Sequence, residues 1–147
     1  MFHARLFTIA IFTPFVEEFS KAYPLFYRHD ETERSIFTLG LFVGLGFGIS
    51  EFFIYVILLD VPIVLRLPGI FFHIASTTIT AYGIAKKKPV RFYLISVLLH
   101  SLSNFSALYF SFSFINQLAI VIIACSISGY LYSQTSEEVI DKKIWEQ

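Results

Sequence analysis

The chain has 147 residues, of which 56% are hydrophobic, 18% aromatic and 15% charged, and its mean hydropathy is +0.69. Because a typical soluble domain is about a quarter charged, this composition argues against a soluble globular fold, intrinsic disorder and a disulfide scaffold. Eleven Lys and Arg balance eleven Asp and Glu, so no basic excess indicates nucleic-acid binding. The single cysteine, Cys125, excludes an intrachain disulfide and any metal site built from several cysteines.

Five apolar segments reach or approach the roughly 20 residues that a helix needs to cross a bilayer. In chain order they cover residues 4–26, 36–59, 67–85, 91–112 and 114–132. The first has the weakest pattern, because its apolar run stops at Val16 and Pro14 removes one backbone hydrogen bond. A kinked or re-entrant helix is expected there. The sequence therefore predicts an all-α fold, a polytopic transmembrane bundle of about five spans.

Lys and Arg in the loops predict the orientation of the bundle, because cytoplasmic loops carry an excess of them. On one side there are only two, Arg5 and Arg66. The other side has eight, in the first loop, the third loop and the tail: Arg28, Arg34, Lys86, Lys87, Lys88, Arg91, Lys142 and Lys143. We therefore expect the N-terminus outside and the C-terminus in the cytoplasm.

The last residues, 134–147, are predicted to form a short cytoplasmic tail beyond a membrane domain of residues 1–133. Thr135 and Glu138 have the spacing of a capping box, and the apolar residues from Val139 onward would lie against the membrane surface. This pattern predicts a short amphipathic helix. A loosely ordered tail is the alternative that the sequence leaves open.

Ionisable groups at bilayer depth are costly and usually mark function. The apolar segments carry six, followed by one amide a turn beyond the last of them: Glu17, Glu18, Lys21, Glu51, His73, His100 and Asn104. With a rise of about 1.5 Å per residue, Glu17 and His100 lie roughly 15 Å from the cytoplasmic ends of their helices. On the same basis, His73 lies roughly 18 Å deep and Glu51 roughly 22 Å deep. Antiparallel packing therefore predicts one polar layer.

Helical spacing places these side chains on particular faces. His100 and Asn104 are four residues apart and share a face, and Thr77 continues the face of His73 in the same way. Glu17 and Glu18 are neighbours, so they point about 100° apart, and only one of them can face a common point. Lys21, one turn after Glu17, is predicted to pair with it and keep it ionised.

Small residues recur every four positions in the second segment, at Gly40, Gly44 and Gly48. Such spacing lets two membrane helices approach closely. Glu51 lies three residues beyond the last glycine, at the edge of the same face. We therefore expect Glu51 to point at a neighbouring helix and not at lipid.

Two histidines and several carboxylates suit hydrolysis of a peptide or amide bond within the membrane. In one scheme His73, His100 and Glu51 are the three ligands of a catalytic zinc, and one of the paired glutamates is the general base. A metal-free scheme is equally open. There a buried glutamate activates water directly, while a histidine and Asn104 stabilise the oxyanion.

Four short motifs occur in order, each on its own segment. They are EExxK from Glu17 to Lys21, FxxxE from Phe47 to Glu51, a polar helix opened by His73, and HxxxN from His100 to Asn104. The ordered set resembles the PrsW family of intramembrane proteases, which is related to the CAAX-prenyl endopeptidase and bacteriocin-processing membrane proteases. The resemblance covers about residues 14–104.

The resemblance implies that residues 1–133 form a protease-like domain in the cell membrane of a prokaryote. It implies substrates that are transmembrane or membrane-associated proteins. The implied site consists of catalytic and supporting residues: Glu17, Glu18, Glu51, His73, His100 and Asn104, supported by Lys21 and Thr77. The family has been classed as metal-dependent and its CAAX-type relatives as glutamate-dependent, so zinc stays open. Family members usually have more spans, which allows for a homo-oligomer that completes the site.

Two other functions fit the same residues less well. His73 and His100 could bind a haem from both sides, although three glutamates in the same layer do not suit a porphyrin pocket. A small proton- or metal-coupled transporter, or a non-catalytic membrane binding protein, would also use buried Glu and His. The short chain shows no inverted repeat of the kind that many transporters have.

Overall fold

The computed structural model describes residues 7–27, 31–109 and 114–140, and helices account for nearly all of them. Helix α1 (Thr13–Ala22) lies between a π-helical turn, Thr8–Phe12, and a 3₁₀ turn, Tyr23–Tyr27. The other four are α2 (Glu33–Phe53, continued by a π-helical turn, Ile54–Leu58), α3 (Ile63–Ala85), α4 (Pro89–Tyr109) and α5 (Phe114–Ser133). The predicted all-α membrane bundle is confirmed.

Four helices of the described chain are long and apolar enough to cross a membrane: Glu33–Leu58, Ile63–Ala85, Pro89–Tyr109 and Phe114–Ser133. They correspond to the second to fifth predicted segments. The first predicted segment is not among them. There α1 has only 10 residues, because the helix changes type at both ends. Pro14 lies in its first turn, where the missing N–H costs little, and the π-helical turn absorbs the break.

Helix α3 is central and contacts all four other helices. Its closest partner is α2, and three of the four glycines of α2 make this approach possible. A Cβ atom added to Gly44 would lie 2.5 Å from the carbonyl oxygen of His73, and one at Gly40 would lie 2.6 Å from the Cβ of Ala81. At Gly48 it would lie 2.9 Å from the Cα of Ile70. The predicted small-residue interface is thus observed, and it brings the backbone of His73 against α2.

Helix α3 also begins earlier than predicted, at Ile63 and not at residue 67. Pro68 lies inside the helix, in its second turn, and removes one backbone hydrogen bond there without ending the helix. Arg66, which was assigned to a loop, therefore becomes helical and reaches the polar layer described below.

The predicted amphipathic helix of the tail is wrong for residues 134–140, which are not helical. The hydroxyl of Thr135 donates to the carbonyl of Tyr132, at 2.8 Å, so it closes the end of α5 and does not cap a new helix. Residues 141–147 lie outside the described part of the chain. The assignment of the tail to the cytoplasm, and of the N-terminus to the outside, stays a prediction.

The tail is extended because its backbone finds partners in the segment before α2. Thr32 and Val139 form an antiparallel bridge, and the N–H of Ile140 donates to the carbonyl of Glu31 at 3.0 Å. The side chain of Ile140 packs against a buried apolar cluster that includes Leu25. These contacts replace the membrane-surface helix that the capping pattern predicted.

Candidate functional site

Helices α1 to α4 meet around one polar cluster in the bundle. It contains the five ionisable groups that could take part in acid–base chemistry: Glu17, Glu18, Glu51, His73 and His100. The two imidazole rings contact each other edge to face, with centroids 5.4 Å apart. The residues of the predicted polar layer are therefore close enough to act on one another.

Lys21 lies at the buried end of the cluster. Its Nζ donates to Oε1 of Glu18 at 2.6 Å, to Nδ1 of His73 at 3.1 Å and to Oγ of Ser76 at 3.1 Å. Only about 1% of the surface of Glu18 and of Lys21 is exposed, so this is a fully buried ion pair. The predicted pairing of Lys21 with Glu17 is wrong. The inward face of α1 carries Glu18 and Lys21 together, whereas Glu17 lines a cavity on the neighbouring face.

His100 lies between the paired glutamates. Its Nδ1 is 2.8 Å from Oε1 of Glu18, and its Nε2 is 3.5 Å from Oε2 of Glu17. Glu18 is ionised by its contact with the Lys21 ammonium, so it can only accept, and Nδ1 must carry the hydrogen. With one hydrogen on the ring, the Nε2 of His100 would then present its lone pair toward Glu17. The facing Oε2 of Glu17 is itself buried and has no hydrogen-bond partner among the described residues.

His73 has the opposite arrangement. An ammonium group donates only, so the contact of Lys21 with Nδ1 requires that nitrogen to accept. The hydrogen of neutral His73 is then on Nε2, which donates to Oε2 of Glu51 at 2.5 Å. The same carboxylate oxygen is 3.1 Å from an Nη of Arg66, whose guanidinium lies 3.7 Å from the centre of the Tyr55 ring. Glu51 is thus held from two sides.

A cavity of about 180 Å³ adjoins the cluster. Five of the predicted site residues line it: Glu17, Glu51, His73, His100 and Asn104. Such a volume holds several water molecules. Glu18 and Lys21 are not part of its wall and lie behind the histidines. Glu17 and Glu51 can therefore meet a molecule in the cavity, whereas Glu18 reaches it only through His100.

The two remaining predicted residues have positioning contacts. Asn104 donates its Nδ2 to the carbonyl of Ile9 at 2.9 Å, which ties the π-helical turn before α1 to α4. Thr77 is buried and donates its hydroxyl to the carbonyl of His73 at 2.8 Å. Asn104 therefore holds a wall of the cavity, while Thr77 supports the backbone of α3 one turn away from it.

Comparison with known proteins agrees with the motifs. The family model described as "PrsW family intramembrane metalloprotease" matches residues 1–129. The chain belongs to the PrsW family. No curated protein and no solved structure gives a significant match to it. The PrsW family is a family of intramembrane proteases, and the four membrane-length helices agree with that setting.

The PrsW assignment came from the motifs, but three residues of this site were missed. Ser76 bonds to both Glu18 and Lys21. It follows His73 by one helical turn, so helical spacing alone could have indicated it. Arg66 was counted as a loop charge. Gln117 of α5 lines the cavity, and nothing in an isolated glutamine of an apolar helix separates it from a packing residue.

The edge-to-face contact of the two histidines does not fit the haem alternative. A haem clamped between two imidazoles needs them on opposite faces of the porphyrin. In this PrsW-family chain the rings of His73 and His100 touch each other, and each is also bonded to a carboxylate. No porphyrin fits between them.

The metal named in the family description can be tested against the donor atoms. Among the described residues, two groups bring three ligand atoms within 4.8 Å of one another: Glu18, His73 and His100, and Glu17, Glu51 and His73. Neither group is the predicted ligand set of His73, His100 and Glu51. The residue types suit zinc in both cases.

The arrangement of these atoms does not fit a divalent ion. In the first group the Lys21 ammonium already contacts Glu18 and His73, so a cation occupies the position that a metal would take. In the second group the only imidazole is that of His73, and its Nε2 carries the hydrogen. Metal ligands must be deprotonated, so neither group offers three free lone pairs as arranged.

Proposed function

We propose that this chain is an intramembrane peptidase in which Glu17 is the general base that activates water. One observation carries the assignment of Glu17. Among the site's three carboxylates, Glu18 and Glu51 are each paired with the ammonium or guanidinium of another side chain, whereas Glu17 is paired with neither, and its buried Oε2 accepts no hydrogen bond from the described residues. It lies 3.5 Å from the Nε2 of His100 at the wall of a cavity that can hold water.

The proposed reaction is hydrolysis of a peptide bond in the cavity. A water molecule gives one proton to Glu17 while its oxygen attacks the carbonyl carbon, and the carbonyl oxygen becomes an oxyanion. The guanidinium of Arg66, whose Nε–H has no hydrogen-bond partner among the described residues, and the second amide N–H of Asn104 are the donors at the cavity wall that can stabilise this charge. The proton on Glu17 then passes to the leaving nitrogen as the C–N bond breaks, which restores the carboxylate.

His100 has a supporting part in this proposal. Its Nε2 accepts the second O–H of the water and so fixes which lone pair of the oxygen faces the substrate. Glu18 holds the ring in the tautomer that allows this, as a carboxylate does for the histidine of other hydrolytic sites. Asn104 keeps the π-helical turn against α4 and supplies its second amide N–H to the cavity.

The substrates that suit such a site are transmembrane or membrane-associated proteins, because the cavity lies within the helical bundle. We place the enzyme in the cell membrane of a prokaryote, with lipid as its surroundings and a homo-oligomer as a possible functional unit. A transporter of protons or metal ions is the alternative function. It would use the same buried Glu and His without any peptide product.

The test is a comparison of peptide termini in membranes that contain the wild-type chain or Glu17→Gln. We expect new N-termini inside membrane segments with the wild type and their loss in the variant. The matched control is Glu138→Gln, which removes an exposed carboxylate of the tail and should leave the products unchanged. Equal sets of termini in all three membranes, with folded protein and ion flux into vesicles, would favour the transporter.

A further inference from the structure

We infer that Lys21 occupies the cation position of this site, so that the two histidines are locked in opposite tautomers and hydrolysis needs no metal ion. The statement that hydrolysis needs no metal ion rests on the proposed peptidase function. The tautomers and the exclusion of metal are properties of the resting protein, and both can be measured without a substrate. The family description says metalloprotease, whereas the contacts of Lys21 with Glu18 and His73 argue against a bound metal in this chain.

The ammonium of Lys21 is fully satisfied where it lies. It has three N–H donors, and it has three acceptors: Glu18 at 2.6 Å, His73 at 3.1 Å and Ser76 at 3.1 Å. The ring of Phe47 adds a cation–π contact, with Nζ 5.2 Å from its centre. A group this well bonded and this deeply buried holds its charge and does not yield its place to a metal.

The same contact decides the state of His73. While Nδ1 accepts from Lys21, the imidazole must carry its hydrogen on Nε2, the nitrogen that faces the cavity. Binding a metal there would require the loss of that hydrogen, and the ring would become an imidazolate or Lys21 would have to become neutral. Both changes leave a buried group in an unfavoured charge state. His73 is therefore a hydrogen-bond donor to Glu51 at the wall of the cavity.

His100 is the complementary case. Glu18 takes its Nδ1–H, so its Nε2 faces the cavity as an acceptor. One donor and one acceptor thus stand side by side on adjacent rings, 5.4 Å between centroids. Water activation needs an acceptor beside the general base, which His100 provides, while the N–H of His73 holds Glu51. A zinc site would instead need acceptors on both rings.

The charges of the cluster agree with this reading. Glu17, Glu18 and Glu51 give three negative charges, and Lys21 and Arg66 give two positive ones, so the site with neutral histidines carries one net negative charge. A single proton on Glu17, the state reached after water gives up its proton, makes the site neutral. A divalent ion would leave it with an excess positive charge.

The first experiment reads the tautomers directly, by ¹⁵N NMR of the imidazole rings of the protein in detergent or nanodiscs. The variant His3→Gln/His29→Gln leaves His73 and His100 as the only histidines. We expect His73 to be protonated on Nε2 and His100 on Nδ1. His73 protonated on Nδ1 would overturn the role of Lys21, whatever the enzyme proves to hydrolyse.

The second experiment uses zinc alone as the probe, in the same histidine background and with no chelator during purification. We expect the parent protein to retain less than about one-tenth zinc per chain after dialysis. Lys21→Met, which removes the charge and keeps the length of the side chain, should gain roughly one zinc per chain through Glu18, His73 and His100. The control Lys86→Met removes a lysine that pairs with Glu33 outside the site, and it should gain none.

The imidazole tautomers and the zinc content of the parent protein test the role of Lys21 even if Lys21→Met folds poorly. Lys21→Arg keeps the cation, so it should fold and stay free of zinc. Roughly one zinc per chain in the parent protein, with shifted His73 resonances, would overturn metal exclusion. Products that persist at the wild-type rate in the presence of a chelator support metal-free hydrolysis. If no peptide product is ever formed, the proposed function fails. The tautomers and the exclusion of zinc are still tested by their own measurements, because neither needs a substrate.

Discussion

The Oε1 atom of Glu18 lies 2.8 Å from the Nδ1 of His100, and this contact determines which nitrogen of the imidazole reaches the cavity. Glu18 itself does not touch the cavity. The ammonium of Lys21 lies 2.6 Å from Glu18 and keeps this carboxylate ionised. Any effect of Glu18 on a reactant therefore passes through His100. In the proposed mechanism the paired glutamates of the EExxK motif therefore have different roles: Glu17 meets the reactant, and Glu18 orients the ring of His100.

The first prediction concerns this difference. Glu18→Gln keeps the shape of the side chain but can offer an N–H to His100, which would favour the other tautomer. We expect the rate of cleavage to fall by about 10³- to 10⁴-fold, as when a buried orienting carboxylate is neutralised at a hydrolytic histidine. The measurement is the initial rate on a substrate identified from the membrane termini, together with the ¹⁵N spectrum of His100.

A loss of rate with the His100 tautomer unchanged would contradict that explanation. Thermal unfolding in detergent is the necessary control, because Glu18→Gln leaves the buried Lys21 without its charged partner. The double variant Glu18→Gln/Lys21→Met removes both charges. It should recover stability but not the rate.

The second prediction concerns Glu17. Glu17→Gln removes the base and should lower the rate by at least about 10²-fold, with little loss of stability, because its Oε2 has no hydrogen-bond partner to lose within the part of the chain that the structure describes. Glu17→Asp keeps the base but withdraws it by one methylene, and a displacement of about 1 Å is expected to cost roughly 10²-fold. Wild-type rates in both variants would remove Glu17 from the mechanism.

Most of the fold could be predicted because its signals are local. Apolar length predicted four of the helices, and the spacing of Gly40, Gly44 and Gly48 predicted a close approach of the second segment to a neighbouring helix, which proves to be α3. The first segment and the tail were harder. A helix that changes type around Pro14 has no simple periodicity, and the tail is extended only because of the segment before α2.

The site was predictable at the level of which residues meet, and not at the level of which atoms bond. Depth along each helix brought His73 and His100 into one layer. Whether Lys21 pairs with Glu17 or with Glu18 depends on the rotation of α1 about its axis, and a shift of one residue changes this by about 100°. Arg66 was missed because the start of α3 was placed four residues too late.

The third prediction concerns the pair formed by Arg66 and Glu51, 3.1 Å apart with side chains about 16% and 18% exposed. Arg66→Met leaves Glu51 with His73 as its remaining partner and should lower the free energy of unfolding by about 1.5–3 kcal/mol. Arg66→Met/Glu51→Gln removes both charges, so it should be more stable than the single variant. Equal stabilities would mean that the pair does not act as a unit in the folded protein.

The same double variant separates stability from chemistry. In the proposed mechanism Arg66 is one of two donors for the oxyanion, so the rate should stay low even where stability is restored. Removal of one such donor typically costs about 10²- to 10³-fold in rate. Recovery of both properties together would assign Arg66 to the support of Glu51 alone.

The last prediction uses two glycines of α2 that are two residues apart. Gly44→Ala puts a methyl group 2.5 Å from the carbonyl oxygen of His73, so α2 and α3 must separate, whereas a methyl group at Gly46 meets nothing within 4 Å. We expect Gly44→Ala to cost about 1–3 kcal/mol of stability and Gly46→Ala to cost none. Because the displaced backbone carries His73, Gly44→Ala should also lower the rate of cleavage at temperatures where the protein remains folded. If Gly44→Ala lost stability but kept the wild-type rate, the position of His73 would not matter for catalysis, and its contact with Glu51 would have no part in the reaction.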